Sequence, residues 1–194
     1  IQAAQEVEVM ERYFLAALGY VTGCGNSQIK VLYKHFDSAE NIWRADSETL
    51  SRCKFLGEAS VDALLNLKKR DIAARLQESC LKNGIRIISY LDDDYPEALQ
   101  HIVNAPAVLY VKGQPITDSR YNLGVVGPRD YSAYGQQVTE YLLENIAPYN
   151  IGIVSGGARG IDSIAHQAAL KNGLYTAAVL GCGLDIIYPA ENKT

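Results

Sequence analysis

The hydrophobic pattern of this chain changes character near residue 83. Before that point, apolar residues recur at helical spacing, and glycines at positions 19, 23, 25 and 57 interrupt the runs. From residue 84 onward, short apolar runs of β character alternate with helical patterns. The pattern therefore predicts a small all-α domain over residues 1–83, followed by an α/β domain over residues 84–194.

The first domain is predicted to consist of short helices joined by glycine turns, an arrangement typical of SAM-like or helix-hairpin-helix bundles. The turn from Gly19 to Gly25 has two interpretations: its backbone amides meet a DNA phosphate, or it simply connects two helices. The second is favoured, because helix connections need glycine for steric reasons alone. Inspection finds no internal repeat. The predicted helices cover 11–18, 28–36, 39–43, 48–55 and 61–82, with N-caps at Asp37-Ser38 and Asp46-Ser47.

The second domain is predicted to contain a parallel sheet, because its last three strands alternate with helices. The predicted strands cover 85–89, 107–111, 123–126, 151–154 and 175–180, and the predicted helices cover 95–102, 133–146 and 163–171.

A glycine-bearing turn follows each of the last three predicted strands, at 125–129, 155–162 and 179–185. Turns that follow parallel strands leave the same carboxyl edge of a sheet. Glycine lets a backbone approach a ligand closely, and helix N-termini attract anions. Since two of the turns also carry arginines, Arg129 and Arg159, the sequence predicts a crevice that recognises phosphate.

Composition narrows this prediction only slightly. The chain has 194 residues, 48% of them hydrophobic, and a net charge of −4, which argues against a broad basic face for nucleic acid. A few arginines can still hold a phosphate chain locally. We find no apolar run that would span a membrane and no leader sequence, so a cytoplasmic protein is expected. The four cysteines form no C-x-x-C pair and none has metal-ligand spacing to a histidine, so free thiols and no metal site are expected.

A dinucleotide cofactor is not expected. Residues 155–160 read S-G-G-A-R-G rather than G-x-G-x-x-G, and no acidic residue follows in the ribose-binding position.

An ordered series of motifs is more specific than any single turn. The series is Tyr95-Pro96-Glu97-Ala98-Leu99, Leu109-Tyr110-Val111-Lys112-Gly113, Val125-Val126-Gly127-Pro128-Arg129, Ser155-Gly156-Gly157-Ala158-Arg159-Gly160-Ile161-Asp162 with His166, and Gly181-Cys182-Gly183-Leu184-Asp185 with Tyr188-Pro189. Over roughly residues 85–194 it resembles the DprA/Smf family of DNA-processing proteins.

The resemblance implies an extended Rossmann-like fold with a parallel sheet, preceded by a SAM-like helical domain. It also implies a single-stranded-DNA-binding protein of natural transformation that protects incoming DNA, loads the RecA recombinase and forms a homodimer. The family is not known for a turnover reaction, so neither an enzyme nor a cofactor is expected. Because family members continue further, we expect the second domain to be truncated at its C-terminal side.

The candidate DNA-phosphate contacts lie in the three turns. They are Gly127, Arg129, Ser155, Gly156, Gly157, Arg159, Gly160, Gly181 and Gly183. Pro128 stands where the family has serine, which removes an N–H and a hydroxyl from the first turn. Tyr131 and Tyr134 are candidates for base stacking, although a chain with 13 tyrosines and 3 phenylalanines also uses tyrosine for ordinary packing.

Three polar residues are predicted to hold the loops in shape. Asp162 is expected to cap the helix that follows the second turn, and Asp185 to hold the third turn through backbone N–H groups. His166 lies four positions after Asp162, on the same helix face. For this pair, a structural hydrogen bond is favoured over an acid–base or metal role, because no third ligand or nucleophile is evident.

Two other functions compete with DNA binding by the turns. Phosphoribohydrolases of the lysine-decarboxylase-like group share the Ser-Gly-Gly loop, and Asp162 or His166 would then be catalytic. Those enzymes carry a P-G-G-x-G-T-x-x-E motif that this chain lacks. In a third interpretation, the helical half serves only to dock another protein.

Overall fold

The computed structural model describes residues 2–21, 23–114 and 121–190, with side chains described from residue 10 onward. The chain forms two compact units, Ile1–Gln114 and Pro115–Thr194. Each unit contains buried hydrophobic clusters of its own. The helical first part and the parallel sheet of the second unit confirm the predicted fold class.

Short helices make up the described start of the first unit, as predicted. They are α1 (Gln2–Leu18), α2 (Asn26–Phe36), α3 (Ala39–Arg44), α4 (Ser47–Ser51), α5 (Glu58–Lys69) and α6 (Ile72–Asn83). Ser38 caps α3 and Asp46 caps α4, with side chains that accept hydrogen bonds from Asn41 N at 3.0 Å and Thr49 N at 2.8 Å. The single helix predicted over 61–82 is wrong, because Asp71 has a φ of 51° and this left-handed conformation separates α5 from α6.

The hairpin of α1 and α2 and the hairpin of α4 and α5 repeat each other at one constant offset, so the prediction of no internal repeat is wrong. The equivalent positions are all apolar and at most 9% exposed: Leu18 and Leu50, Val21 and Cys53, Cys24 and Leu56, Ile29 and Val61, and Leu32 and Leu64. Most of these pairs share size and burial rather than identity, which hides the repeat from inspection of the sequence.

Backbone hydrogen bonds in the two turns also correspond. Val21 N donates to the Leu18 carbonyl at 3.0 Å, and Cys53 N donates to the Leu50 carbonyl at 3.1 Å. The second helix of each hairpin then begins after a glycine of extended conformation, Gly25 or Gly57. The repeat is therefore one of backbone geometry as well as of burial.

The two hairpins contact each other reciprocally. Gln28 Nε2 donates to the carbonyl of Phe55 in the other hairpin. Ser60, the equivalent of Gln28, has its Oγ 3.2 Å from the place a Cβ would take on Gly23, the equivalent of Phe55. Each hairpin thus contacts the other through equivalent positions.

Two antiparallel strands complete the first unit. They are β1 (Ile85–Ser89) and β2 (Val108–Lys112), with the short helix α7 (Glu97–Gln100) between them. Ile87 and Val108 pack into the clusters formed by the helices. The compact units consequently divide after Gln114, whereas the sequence placed a domain boundary after residue 83.

The first turn of α2 forms hydrogen bonds with other residues of the first unit. Asn26 Oδ1 accepts a hydrogen bond from Ala107 N at 3.1 Å. Ser27 Oγ lies 3.2 Å from Asn104 Oδ1 and donates to it. These contacts support the interpretation of the glycine turn before α2 as a structural connection.

The second unit alternates strands and helices in the predicted order. Its elements are β3 (Asn122–Gly124), α8 (Ala133–Ile146), β4 (Gly152–Ser155), α9 (Ile161–Lys171) and β5 (Thr176–Ala178). The strands are parallel, in the order β3-β4-β5. Leu143 of α8, Ala165 of α9 and Ile153 of β4 are buried together in its core. The three glycine turns therefore leave one carboxyl edge of the sheet, as predicted.

Candidate nucleic-acid interface

The first two glycine turns are in direct contact. A Cβ placed on Gly127 would lie 2.6 Å from the side chain of Ile161, the first residue of α9. Ile161 N donates to the Pro128 carbonyl at 3.2 Å. Gly160 has a φ of 90°, and a Cβ on it would collide with the Pro128 carbonyl oxygen and lie 2.6 Å from Arg129 Cα. Glycine is thus required at both contacts, because only backbone fits there.

The second turn also contacts the third. Val179 N donates to the Ser155 carbonyl at 2.8 Å. A Cβ on Gly157 would lie 3.0 Å from Leu180 Cδ2. The three turns consequently form one continuous surface at the edge of the sheet.

The structure brings the two candidate arginines to this surface. Both Arg129 and Arg159 are exposed, and the backbone of Gly160, next to Arg159, lies against the backbone of Arg129. Within the described part of the chain, Arg129 forms no ion pair. We call the exposed candidates of the three turns the glycine-turn rim: Gly127, Arg129, Gly156, Arg159, Gly181 and Gly183.

The remaining three phosphate candidates are buried. Ser155 is 4% exposed and its hydroxyl donates to the Val125 carbonyl at 2.7 Å, which ties the end of β4 to the segment after β3. Gly157 and Gly160 are buried by the neighbouring turns. The expectation of a phosphate contact from the Ser155 side chain is therefore corrected, because its hydroxyl is buried and its one hydroxyl proton is donated inside the protein.

Asp162 does not cap α9 as predicted. The N-cap residue is Gly160, and Asp162 lies within the first turn of the helix. Its side chain turns back into the preceding loop, where Oδ2 lies 3.4 Å from Ala158 N. The same oxygen is 2.9 Å from the place of a Cβ on Gly156, and the residue is 8% exposed. Asp162 is thus a buried carboxylate on the inner side of the second turn.

His166 contacts a strand and not Asp162. Its Nδ1 lies 2.7 Å from Thr176 Oγ1, and Thr176 Oγ1 donates to the Ile153 carbonyl at 3.1 Å. Thr176 has one proton, so His166 Nδ1–H is the donor, and the buried Nε2 is left without a partner among the described residues. Burial lowers the pKa of His166, and the Asp162 carboxylate partly opposes this shift. The predicted Asp162–His166 hydrogen bond is therefore replaced by a link between α9 and β5.

Tyr131 and Tyr134 are accessible for stacking. They are 44% and 75% exposed, beside the N-terminus of α8. Ser132 caps this helix by accepting a hydrogen bond from Gly135 N at 3.1 Å. These tyrosines thus contribute little to the packing of the core, and base stacking stays a prediction.

The third turn is closed by local contacts. Asp185 Oδ1 lies over Gly183, where a Cβ would collide with it, and Ile186 N donates to the Gly183 carbonyl at 3.0 Å. At Gly181, by contrast, a Cβ would meet nothing within 4 Å. A Cβ at Gly183 would displace only the end of the exposed Asp185 side chain, so neither position requires glycine for shape.

Sequence reasoning missed two residues that shape this edge. Ile161 fills the space under Gly127, and Thr176 is the partner of His166. Thr176 carried a usable signal, since it is a polar residue within a predicted buried strand. The sequence gives no such signal at Ile161, because an apolar residue at the start of a helix is normally interpreted as part of the hydrophobic core.

The described ranges contain neither a cluster of metal ligands nor a helix that could span a membrane. No group of three or more His, Cys, Asp or Glu side chains in these ranges is arranged to hold a metal ion. Among the helices that the structure describes, none has the length and apolarity needed to cross a membrane.

A parallel sheet whose glycine turns meet at one edge places the second unit among Rossmann-like α/β folds. Residues 86–194, more than half of the chain, match the family model of DNA recombination-mediator protein A. The chain therefore belongs to this family, which confirms the resemblance to DprA and Smf proteins.

Similar proteins carry those names. Protein Smf of Synechocystis sp. is 31% identical over 189 residues, which cover 94% of this chain and 47% of that protein. DNA processing protein DprA of Streptococcus pneumoniae is 44% identical over 105 residues, which cover 54% of this chain and 37% of that protein. An X-ray structure of the S. pneumoniae DprA superposes with a TM-score of 0.72 at 32% identity, over 94% of this chain and 62% of that one. The chain thus spans about half or less of the length of these two curated relatives.

Proposed function

We propose that this chain binds single-stranded DNA along the glycine-turn rim, through backbone phosphates and with little dependence on sequence. Guanidinium groups pair with phosphate in a forked geometry, and exposed glycine amides can approach it closely. The observation that carries the proposal is the contact of Gly160 with Arg129, because it brings Arg129 and Arg159 to the same rim. Family membership supports the same assignment.

Not every candidate residue takes part in the proposed contacts. The buried Ser155, Gly157 and Gly160 shape the loop from within, and the exposed residues of the rim meet the phosphates. Tyr131 and Tyr134 follow Arg129 along the chain and are exposed, so we assign them to base stacking. Asp162 and Asp185 hold the second and third turns in shape, and His166 links α9 to β5.

Charge reversal tests the proposal. In Arg129→Glu and Arg159→Glu, affinity for oligonucleotides of any sequence should fall. The dependence of affinity on salt should weaken by about 0.7 in log–log slope for each phosphate that the variant no longer binds. Lys171→Glu is the matched control, because it makes the same change of charge at the exposed C-terminal end of α9. If both rim variants bind like the parent in a salt titration, the rim is not the binding site.

The role of the whole protein is proposed from the family. We infer that it protects incoming DNA during natural transformation, loads RecA onto it, and acts as a cytoplasmic homodimer without a turnover reaction. RecA filament formation on DNA coated with a single-strand-binding protein, measured with and without the whole protein, tests the loading role. An unchanged rate of filament formation would contradict it.

The phosphoribohydrolase alternative is weaker. It needs Asp162 or His166 to reach a substrate, whereas Asp162 is 8% exposed and His166 Nδ1 is bonded to Thr176. Release of free adenine from adenosine monophosphate would distinguish the alternatives. We expect no release above the uncatalysed background.

A further inference from the structure

The second glycine turn occupies the place at which Rossmann-like folds usually hold a phosphate. It connects the parallel strand β4 to the N-terminus of α9, where unpaired N–H groups favour an anion. In this chain that place already contains a negative charge. The Asp162 carboxylate lies on the inner side of the loop, with Oδ2 3.4 Å from Ala158 N and 2.9 Å from the place of a Cβ on Gly156.

Groups next to the Asp162 carboxylate also close the inner side of the turn. Ile161 N, which would be among the N–H groups offered to an anion, instead donates to the Pro128 carbonyl at 3.2 Å. Ser163 Oγ donates to the Ala158 carbonyl at 2.7 Å and draws the loop onto the helix. The inner side of the turn is thus closed by the protein's own groups.

His166 does not offset the Asp162 charge near neutral pH. His166 lies one helical turn away and burial disfavours its protonated form, so it is neutral near neutral pH. The positive end of the α9 dipole and Ala158 N–H are the groups that stabilise the carboxylate. A second anion placed there would meet the negative charge of the buried Asp162 carboxylate at close range, where repulsion is strong.

The outer side of the turn has the opposite character. Gly156 and Arg159 are exposed there, and Arg129 stands beside them on the rim. A phosphodiester of a DNA chain carries a single charge and can touch such a rim without entering the loop. A free nucleotide ends in a phosphate with up to two charges, so the Asp162 carboxylate would repel it more strongly than a phosphodiester.

We propose that Asp162 is a specificity-determining residue whose carboxylate fills the anion position of the glycine turn, so that the turn rejects free nucleotides and inorganic phosphate and leaves only its rim to the DNA backbone. The inference rests on the proposed DNA binding, since it states which phosphates the same site accepts. Such a residue prevents nucleotides in solution from competing with DNA for the rim.

Removal of the carboxylate should open the position that it fills. Asp162→Ser removes the charge and most of the side-chain volume, and we expect it to bind adenosine monophosphate and inorganic phosphate at least about tenfold more tightly than the parent, measured by isothermal titration calorimetry. A merely structural role for Asp162 would not create a new anion site. Asp62→Ser is the matched control, because it makes the same change at an exposed position of α5, outside the three turns, and should leave nucleotide binding at the level of the parent.

Two outcomes overturn the proposal. One is a folded Asp162→Ser variant with an intact thermal transition and no gain in binding of either anion. The other is a parent chain that already binds adenosine monophosphate as tightly as the variant does.

A competition experiment covers the case in which the variant does not fold. With the parent chain, a large excess of adenosine monophosphate should leave a bound oligonucleotide in place, and specific displacement at constant ionic strength would contradict the proposal. Failure of the proposed function has a different signature. The parent would then bind no oligonucleotide at all, and calorimetry on the parent and on Asp162→Ser would still decide the role of Asp162.

Discussion

Gly160 lies with its backbone against Arg129, so closely that a side chain at residue 160 would collide with the Pro128 carbonyl oxygen. This contact joins the start of α9 to the turn after β3. It is also what brings the two arginines of the proposed rim to the same edge, because Arg159 precedes Gly160 directly. The position of the guanidinium groups thus depends on a residue that has no side chain.

Gly160→Ala should therefore destabilise the second unit by about 3 kcal/mol, since it combines a positive φ with a backbone collision. Substitutions at Gly173 and Gly181 separate the cost of the positive φ from the cost of the collision. Gly173 has a φ of 69° and open space, so Gly173→Ala should cost roughly 1 kcal/mol, and Gly181→Ala should be within about 0.5 kcal/mol of the parent. Urea denaturation measures all three free energies of unfolding. Equal losses at residues 160 and 173 would contradict the collision.

Acid should destabilise the chain in part through His166. Burial lowers the pKa of this residue in the folded state below its ordinary value of 6.5, so the unfolded chain takes up the proton first. The free energy of unfolding should then fall as the pH drops below about 6.5, and this contribution should level off below the folded-state pKa.

His166→Asn isolates that contribution, because it keeps an N–H donor for Thr176 and cannot titrate. We expect the free energy of unfolding of the variant to change less than that of the parent between about pH 7.5 and about pH 5, a range that brackets the ordinary histidine pKa. Denaturation at a series of pH values measures the difference. Parallel curves for the two proteins would contradict a role of His166.

Thiol reactivity should distinguish one cysteine from the others. Burial raises the pKa of Cys24 to about 11 and also raises the pKa values of Cys53 and Cys80. Cys182 is the half-buried member of the set. A thiol-reactive disulfide at about pH 8 should label Cys182 first, and the others only as the chain unfolds, since thiolates are the reactive species. Cys182→Ser should abolish the fast phase, and a fast phase that persists would contradict the assignment.

The repeated hairpins predict equal effects at equivalent positions. Leu18 and Leu50 are both fully buried, so Leu18→Ala and Leu50→Ala should each cost about 2–5 kcal/mol. Leu81→Ala is the control, because Leu81 is 70% exposed and its truncation should change stability by no more than about 0.5 kcal/mol. Thermal and urea unfolding measure the three values. A large effect at only one of the two buried leucines would argue against the equivalence of the hairpins.

Local patterns predicted the elements of this chain well where one strong signal was present. The helix predicted over 133–146 coincides with α8, because apolar residues recur there at helical spacing. The single helix predicted over 61–82 is wrong, because the chain is interrupted at Asp71. The left-handed backbone of this residue could not be read from the sequence, since aspartate also occurs within helices. The repeat of the hairpins was missed because equivalent core positions differ in side chain, as with Val21 and Cys53.

The site was predictable in outline and not in detail. Glycine turns after parallel strands must leave one edge of the sheet, so the neighbourhood of Arg129 and Arg159 followed from the order of elements alone. The order of elements does not say whether a given residue of a turn faces solvent or the protein interior. Ser155 and Asp162 belong to the same loop as Arg159, yet both are buried and bonded within the protein.

By itself, the amino-acid sequence determined the fold class, the parallel order of the last three strands and the family, because these depend on periodicity and on ordered motifs along the chain. The tertiary structure decided where the compact units divide, that His166 bonds to Thr176, and that Asp162 turns into the loop and not towards solvent. The physical reason is that these outcomes depend on contacts between residues of different elements. Burial, and with it the partner and the charge state of a polar group, is set only when those elements pack together.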